Sequence, residues 1–417
     1  MKRPMTPQPA MRACSRWFMI GLLSLGLAVG VAELWCRFFW IQPLSMGGGS
    51  ADPHFHHRLK PSRTYRFVTP EYNVEVRTNR SGLRGPDPML PKPAGVTRVF
   101  MLGDSFTFGL GVRDQETFCA LIEQGLRAQG EAVEVINGGV SAYSPILEYL
   151  SLRDQFLAFE PDLVVLWFDL ADLWDDAWFQ RNLLYDQAGR ILRCDPGSLD
   201  GHRDWWEWLK THSTLAKYLE AKFPGEVIML RLGGFRGYVS AKLRGESPKA
   251  LIARFKGTPK FEAVLGVDKF ILLRESSTAA LVKPHWDLSM RYVLMIRELL
   301  AERHIPFLLG IYPYGMLVGP DQWAVGRRFW RFKQGKTYDA SLALGLFERF
   351  SATERIPLLN TFESFRAAAN AEKLFYDRDG HFTPAGHRVL ATHVLHDLQF
   401  LTALRGVATP GGDMEQP

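Results

Sequence analysis

Cysteine is scarce in this 417-residue chain: there are four, and Cys14 and Cys36 bracket an apolar N-terminal stretch. That count excludes a disulfide scaffold and a cysteine-built zinc site. Cys119 and Cys194 remain, either paired in an oxidising compartment or both free, and their spacing does not decide between the two. Charge of one sign is also in short supply, with 50 Lys and Arg against 44 Asp and Glu, a net +6. The excess is uneven. Residues 1–41 carry +4, residues 181–283 carry +7 with 18 basic and 11 acidic side chains, and the remainder is −5. A nucleic-acid protein would show a basic face on its working domain together with a reader motif, and neither is present. Apolar residues, by contrast, are plentiful at 47%, which excludes a disordered chain.

The run Trp17–Ala32 has no charge, and Glu33 and Arg37 interrupt an apolar continuation to Ile41. The 25 residues from Trp17 to Ile41 are enough to cross a hydrocarbon core of about 30 Å as a helix. Arg12 and Arg16 precede the run, so the positive-inside rule places residues 1–16 in the cytoplasm and the rest on the periplasmic side of the inner membrane. The reading adopted is an uncleaved single-pass anchor at 17–41, with Glu33 and Arg37 one helical turn apart and able to pair. A signal peptide cut after Gly30-Val31-Ala32 is the competing reading.

Residues 42–97 read as a tether, Gly47-Gly48-Gly49-Ser50, followed by an extended arm or hairpin with alternation such as Tyr72-Asn73-Val74-Glu75-Val76. His54, His56 and His57 lack carboxylate or cysteine companions, so they read as solvated histidines and no metal or other cofactor is expected.

From Arg98 strands and helices alternate. The expected strands are Val99–Leu102, Val133–Ile136, Leu163–Phe168, Phe307–Tyr312 and Ile356–Leu359. The expected helices are Glu116–Gln129, one opened by Ser144-Pro145, Leu288–Glu302, Ser341–Phe350, and one from Thr383-Pro384 to about Leu404. This pattern predicts an α/β fold, a three-layer doubly wound parallel sheet formed by 98–172 and 284–405, with a large insertion at 173–283 and a flexible tail at 406–417.

Gly103-Asp104-Ser105-Phe106-Thr107-Phe108-Gly109 directly follows the first strand. A serine held there by flanking glycines exposes its hydroxyl beside backbone N–H groups, which suits a nucleophile. A base and an orienting carboxylate are then required, and Asp379-Gly380-His381 supplies both just before the last helix. At these residues the sequence resembles the SGNH/GDSL hydrolase superfamily of esterases and acyl-transfer enzymes on a flavodoxin-like sheet. The resemblance implies Ser105 as nucleophile, His381 as base and Asp379 as carboxylate, with Asp377 as the fallback. It also implies an oxyanion hole built from the N–H groups of Ser105 and Gly139, the latter in Asn137-Gly138-Gly139. One block departs from the family pattern. Where members carry an asparagine in a G-x-N-D stretch after the third strand, this chain reads Asp169-Leu170-Ala171-Asp172-Leu173-Trp174-Asp175-Asp176. These aspartates read as a solvated acidic turn in preference to a divalent-cation site.

The expected activity is that of a serine esterase or O-acetyl transfer enzyme acting on ester-bearing carbohydrate or lipid of the cell envelope. The alternative is a catalytically weakened domain that binds or escorts a polysaccharide. The insertion, with Trp205, Trp206, Trp208, Tyr218, Phe223, Phe235, Tyr238, Phe255, Phe261 and Phe270, reads as a helical cap with a buried aromatic face. A platform on anionic lipid or an acidic polymer is compatible with that reading.

Overall fold

The computed structural model describes residues 9–39, 49–196, 209, 213–247, 250 and 268–408. Two compact units are present, one formed by residues 1–43 and 199–265 and the other by 44–198 and 266–417.

The second unit is built on five strands, β1 (Thr97–Gly103), β2 (Val133–Gly139), β3 (Leu163–Phe168), β4 (Phe307–Ile311) and β5 (Leu358–Asn360). All are parallel, in the spatial order β2-β1-β3-β4-β5. This is a doubly wound sheet whose strand order switches between β1 and β3, and sheets of this kind carry their sites at the carboxyl ends of the strands at such a switch. Every residue of β3 and β4 is buried, because helices cover both faces of the sheet. The helix Phe118–Ala128 packs against Pro384–His396, and Ala279–Ala301 packs against Pro145–Asp154 and Asp172–Phe179. Phe118, Cys119, Ile122 and Leu126 line the buried stripe of the first of these. Burial of each large apolar side chain contributes about 1.5–3 kcal/mol.

Several expectations are corrected by tertiary contacts. Gly49 is not tether: Gly49–Asp52 pairs antiparallel with His56–Leu59. Gly47 and Gly48 lie outside the described residues. The arm is a hairpin, Thr64–Val68 against Asn73–Arg77. The helix expected from Leu288 starts nine residues earlier, at Ala279, where the Thr278 hydroxyl accepts from the Leu281 N–H; Pro284 is accommodated inside it. The last helix is two, Pro384–His396 and Leu398–Ala408, because the Asp397 carboxylate accepts from the N–H groups of Gln399 and Phe400 and restarts the chain there. Cys119 and Cys194 are both free and sit in different hydrophobic clusters.

The unit that joins the insertion to the N-terminal segment is narrower than 173–283. Asp172–Phe179, the hairpin Leu183–Tyr185 with Ile191–Cys194, and Phe270 belong to the sheet unit. Trp205, Trp206, Trp208, Phe255 and Phe261 lie outside the described residues, as do 1–8 and 409–417.

The first unit contains the N-terminal helix Pro9–Phe39, whose stretch Met19–Arg37 has a mean hydropathy of 1.9 and is long and apolar enough to cross a membrane, as a signal sequence would also be. Among the described residues it also holds the helices Thr214–Lys222 and Pro224–Leu243.

Candidate active site

The carboxyl end of β1 makes the nucleophile turn. Gly103 has φ 153°, and a Cβ there would stand 2.2 Å from Thr107 Oγ1, so only glycine allows the chain to fold back into the short helix Ser105–Phe108. Asp104 caps that helix, accepting from the Phe106 N–H at 2.9 Å. Ser105 is its first residue, and its N–H is among the donors that a helix start leaves without an intrahelical partner.

Ser105 Oγ lies 2.7 Å from His381 Nε2, and His381 Nδ1 is hydrogen-bonded to Asp379 Oδ1. The structure therefore brings together Ser105, His381 and Asp379, and leaves the fallback Asp377 elsewhere, accepting from the Val325 and Gly326 N–H groups through its backbone carbonyl. His381 is held by backbone pairing of Phe375 with Phe382 and by its carbonyl accepting from the Tyr376 N–H. Phe106 packs its ring 4.7 Å from the imidazole centroid.

Two residues of the hairpin turn complete the carboxylate's surroundings, and nothing in their spacing announced it. The Tyr72 hydroxyl donates to Asp379 Oδ2, while the Glu71 carboxylate accepts from the Arg378 and Asp379 N–H groups at 2.9 and 3.0 Å. Burial would raise the Asp379 pKa, but the His381 charge and the hydrogen bonds from His381 and Tyr72 outweigh it, and the carboxyl stays below its ordinary value. Burial likewise works to lower His381, and the charges of Asp379, Asp104 and Asp169 overcome it, so the imidazole titrates above 6.5. Asp379 is thus an acceptor only; Nδ1 carries the hydrogen toward it and Nε2 is left to accept from the serine.

The aspartates after β3 are not a solvated turn. Asp169, Asp172, Asp175 and Asp176 are all buried, the last three on the helix Asp172–Phe179. They fold inward because this helix continues directly from the central strand and packs against Ala279–Ala301. Asp169 accepts from Tyr314 Oη at 2.6 and 2.8 Å and from the Ala171 N–H at 2.7 Å. Asp104 accepts from Tyr312 Oη at 3.0 Å and is hydrogen-bonded to Asp169. Burial first, and the neighbouring Asp169 charge second, push Asp104 well above the carboxylate range. Asp172 Oδ2 accepts from the Asp169 N–H at 3.0 Å, while its Oδ1 and both carboxyl oxygens of buried Glu148 have no partner among the described residues.

Gly139 differs from its expected role. Its N–H donates to Asn137 Oδ1 at 3.0 Å, and a Cβ on it would lie 2.2 Å from the Phe108 nitrogen. The glycine serves close packing of β2 on the nucleophile helix, and its donor is already engaged. Three residues on, Ala142 adopts φ 61°, a conformation that costs a non-glycine residue of order 1–3 kcal/mol and that concentrates at functional sites. The histidines of the arm are engaged too: His54 Nε2 lies 2.7 Å from Asp154 Oδ2, and His57 Nε2 donates to the Ser141 carbonyl at 2.8 Å.

A serine, histidine and aspartate are thus hydrogen-bonded in series at the carboxyl edge of a parallel sheet. The chain belongs to the GDSL-like lipase/acylhydrolase family, whose profile matches residues 101–389, and this membership makes it an ester-acting hydrolase. Solved structures similar to it include an acetyl xylan esterase (15% identity, TM-score 0.34, 71% of this chain and 96% of that one). Others are a lipase/acylhydrolase from Enterococcus faecalis (14%, 0.35, 72% and 93%) and a catalytic mutant of an acetylxylan esterase from Geobacillus stearothermophilus (13%, 0.34, 74% and 94%). No curated protein matches the sequence.

Proposed function

We propose that this hydrolase is a membrane-tethered serine esterase or O-acyl transfer enzyme of the extracytoplasmic face, acting on ester groups of envelope or exported polysaccharide. The observation that carries the reading is the 2.7 Å approach of Ser105 Oγ to a His381 whose far nitrogen is bound by Asp379. Ser105 attacks the ester carbonyl as His381 takes its proton; His381 then gives that proton to the leaving alcohol, and water or a sugar hydroxyl resolves the acyl-serine. The Ser105 N–H is one oxyanion donor. The loop at Ala142, with its left-handed backbone, is the candidate source of a second, since the Gly139 N–H is engaged by Asn137. The apolar helix around Met19–Arg37 is the tether, and an envelope polymer is the substrate class such a location offers.

The second reading, a weakened domain that binds a polysaccharide, draws support from Ala171. It stands at the asparagine position of the G-x-N-D pattern and provides no side-chain donor. Fluorophosphonate labelling and p-nitrophenyl acetate turnover separate the two. Label and turnover in the wild-type chain, both lost in Ser105→Ala, support the esterase. Label without turnover supports the binding domain, and label persisting in Ser105→Ala overturns the nucleophile.

A further inference from the structure

Within the first unit the apolar N-terminal helix is bound to the inserted segment by a partly buried polar contact. The Glu33 carboxylate accepts from the Thr214 and Leu215 N–H groups at 2.8 and 2.9 Å and from Ser213 Oγ at 2.7 Å, while Arg37 Nε donates to it at 2.8 Å. Glu33 therefore caps the helix Thr214–Lys222 from outside, where a carboxylate meets the positive end of the helix dipole. Trp35 packs edge-on against Tyr218 with ring centroids 5.9 Å apart. Beside this contact runs an apolar groove of about 640 Å³ lined by Leu27, Ala28, Val31, Leu215 and Tyr218. Glu33 lies near the C-terminal end of the Met19–Arg37 stretch, so the capped helix begins at the level where that stretch leaves the hydrocarbon.

One residue later the chain enters Pro224–Leu243, which is broken at Gly234 (φ 65°, ψ 177°). In the part that follows, Phe235, Val239 and Leu243 recur every four residues and are 74%, 37% and 84% exposed. At about 100° per residue they form one stripe, with Lys242 about 20° beyond one edge and Arg236 about 20° beyond the other. The opposite face is committed, since Tyr238 and Ala241 pack on Met229. Over residues 214–247 there are six Lys and Arg against three Glu. An outward apolar stripe edged by cations that can snorkel is the pattern of a helix lying in a bilayer interface, its apolar side about 5–10 Å into the headgroup boundary.

We propose that the inserted helices are an interfacial platform: Glu33 docks Thr214–Lys222 on the anchor, and the Phe235, Val239 and Leu243 stripe rests in the anionic lipid surface from which the anchor emerges. The platform rests on the anchor reading given above. It makes the insertion part of the membrane attachment and independent of the catalytic chemistry, and it requires that the leader stays on the chain.

The test is site-directed spin labelling of the full chain in nanodiscs. Cys14, Cys36, Cys119 and Cys194 are replaced by alanine, esterase turnover is checked, and single labels are placed by Phe235→Cys, Leu243→Cys and, as the anchor control, Leu27→Cys. With phosphatidylglycerol present, all three labels are expected to be accessible to oxygen and shielded from a nickel chelate. Labels 235 and 243 should lie about 5–10 Å below the headgroups and move outward when the lipid is wholly phosphatidylcholine. Nickel-accessible labels at 235 and 243 with a deep label at 27 overturn the platform and keep the anchor. A shallow label at 27 overturns both. Labels at 235 and 243 immobile and closed to both reagents mean that protein covers the stripe, and this too overturns the proposal. Depth that ignores lipid charge removes the role of Arg236 and Lys242.

Discussion

His381 Nε2 stands 2.7 Å from Ser105 Oγ across 276 positions of chain. The two meet because β1 ends at the point where the strand order switches, and the loop before Pro384–His396 returns to the same carboxyl edge.

The first prediction concerns pH. His381 titrates above 6.5, and only its neutral form can accept the serine proton. The acid limb of kcat/KM for p-nitrophenyl acetate should therefore have its midpoint above pH 6.5. Asp379→Asn removes the largest favourable charge and should move that limb down while lowering kcat by about three to four orders of magnitude. A limb unmoved by Asp379→Asn would mean that another group titrates.

Tyr72 acts on the same carboxylate from the arm. Tyr72→Phe deletes a donor to a charged acceptor, a loss of about 1.5–3 kcal/mol at that bond, of which only part reaches the transition state. We expect a fall in kcat of about tenfold and an acid limb shifted upward, because the less stabilised carboxylate holds the imidazolium more strongly. A purely structural role for Tyr72 would lower the melting temperature and leave the limb in place.

Ala171→Asn tests the missing donor. An oxyanion-hole donor is worth about 2.7–4 kcal/mol, so an amide restored at this position is expected to raise kcat by up to 100–1,000-fold. Ala171 is 1% exposed, and calorimetry of the variant checks that the larger side chain is accommodated. Unchanged turnover in a folded variant places the second donor on the backbone.

Stability should fall as the solution becomes more alkaline. Burial raises Asp176 to about 6 and Asp175 to about 7, and pushes Asp104, Glu148 and Asp172 up as well. A carboxyl whose pKa is higher when folded stabilises the protein fully below its unfolded value near 4, and that contribution is lost as pH rises through the folded value. For Asp176 alone this is on the order of 2–3 kcal/mol at about 1.4 kcal/mol per unit. Asp379, whose pKa is lowered, works in the opposite sense only below about pH 4. Melting temperatures should thus drop between pH 5 and pH 8, and Asp176→Asn should flatten the slope. A melting temperature that rises over this range would contradict the buried, protonated state.

The parallel sheet, most of its helices and the segments that bring Ser105, Asp379 and His381 together were legible in the sequence, because they are written in local signals. Four- to six-residue largely apolar runs mark buried strands, and turn residues beside a nucleophile mark a strand end. What escaped notice depends on neighbours remote in the chain. The hydroxyl of Tyr72 and the carboxylate of Glu71 reach Asp379 across about 307 positions, and no periodicity encodes a contact between a hairpin turn and a C-terminal loop. Asp169 to Asp176 looked solvated because acidic residues usually are; only tertiary packing, with the helix Asp172–Phe179 against Ala279–Ala301, buries them and raises Asp172, Asp175 and Asp176. Composition and pattern thus determined an α/β scaffold with an apolar leader and a basic insertion, and the resemblance of two motifs to a known family implied a hydrolase. Tertiary structure decided which N–H groups are already spent, which carboxyls hold protons, and that the insertion shares a unit with the leader, because each depends on what a side chain meets once distant segments are brought together.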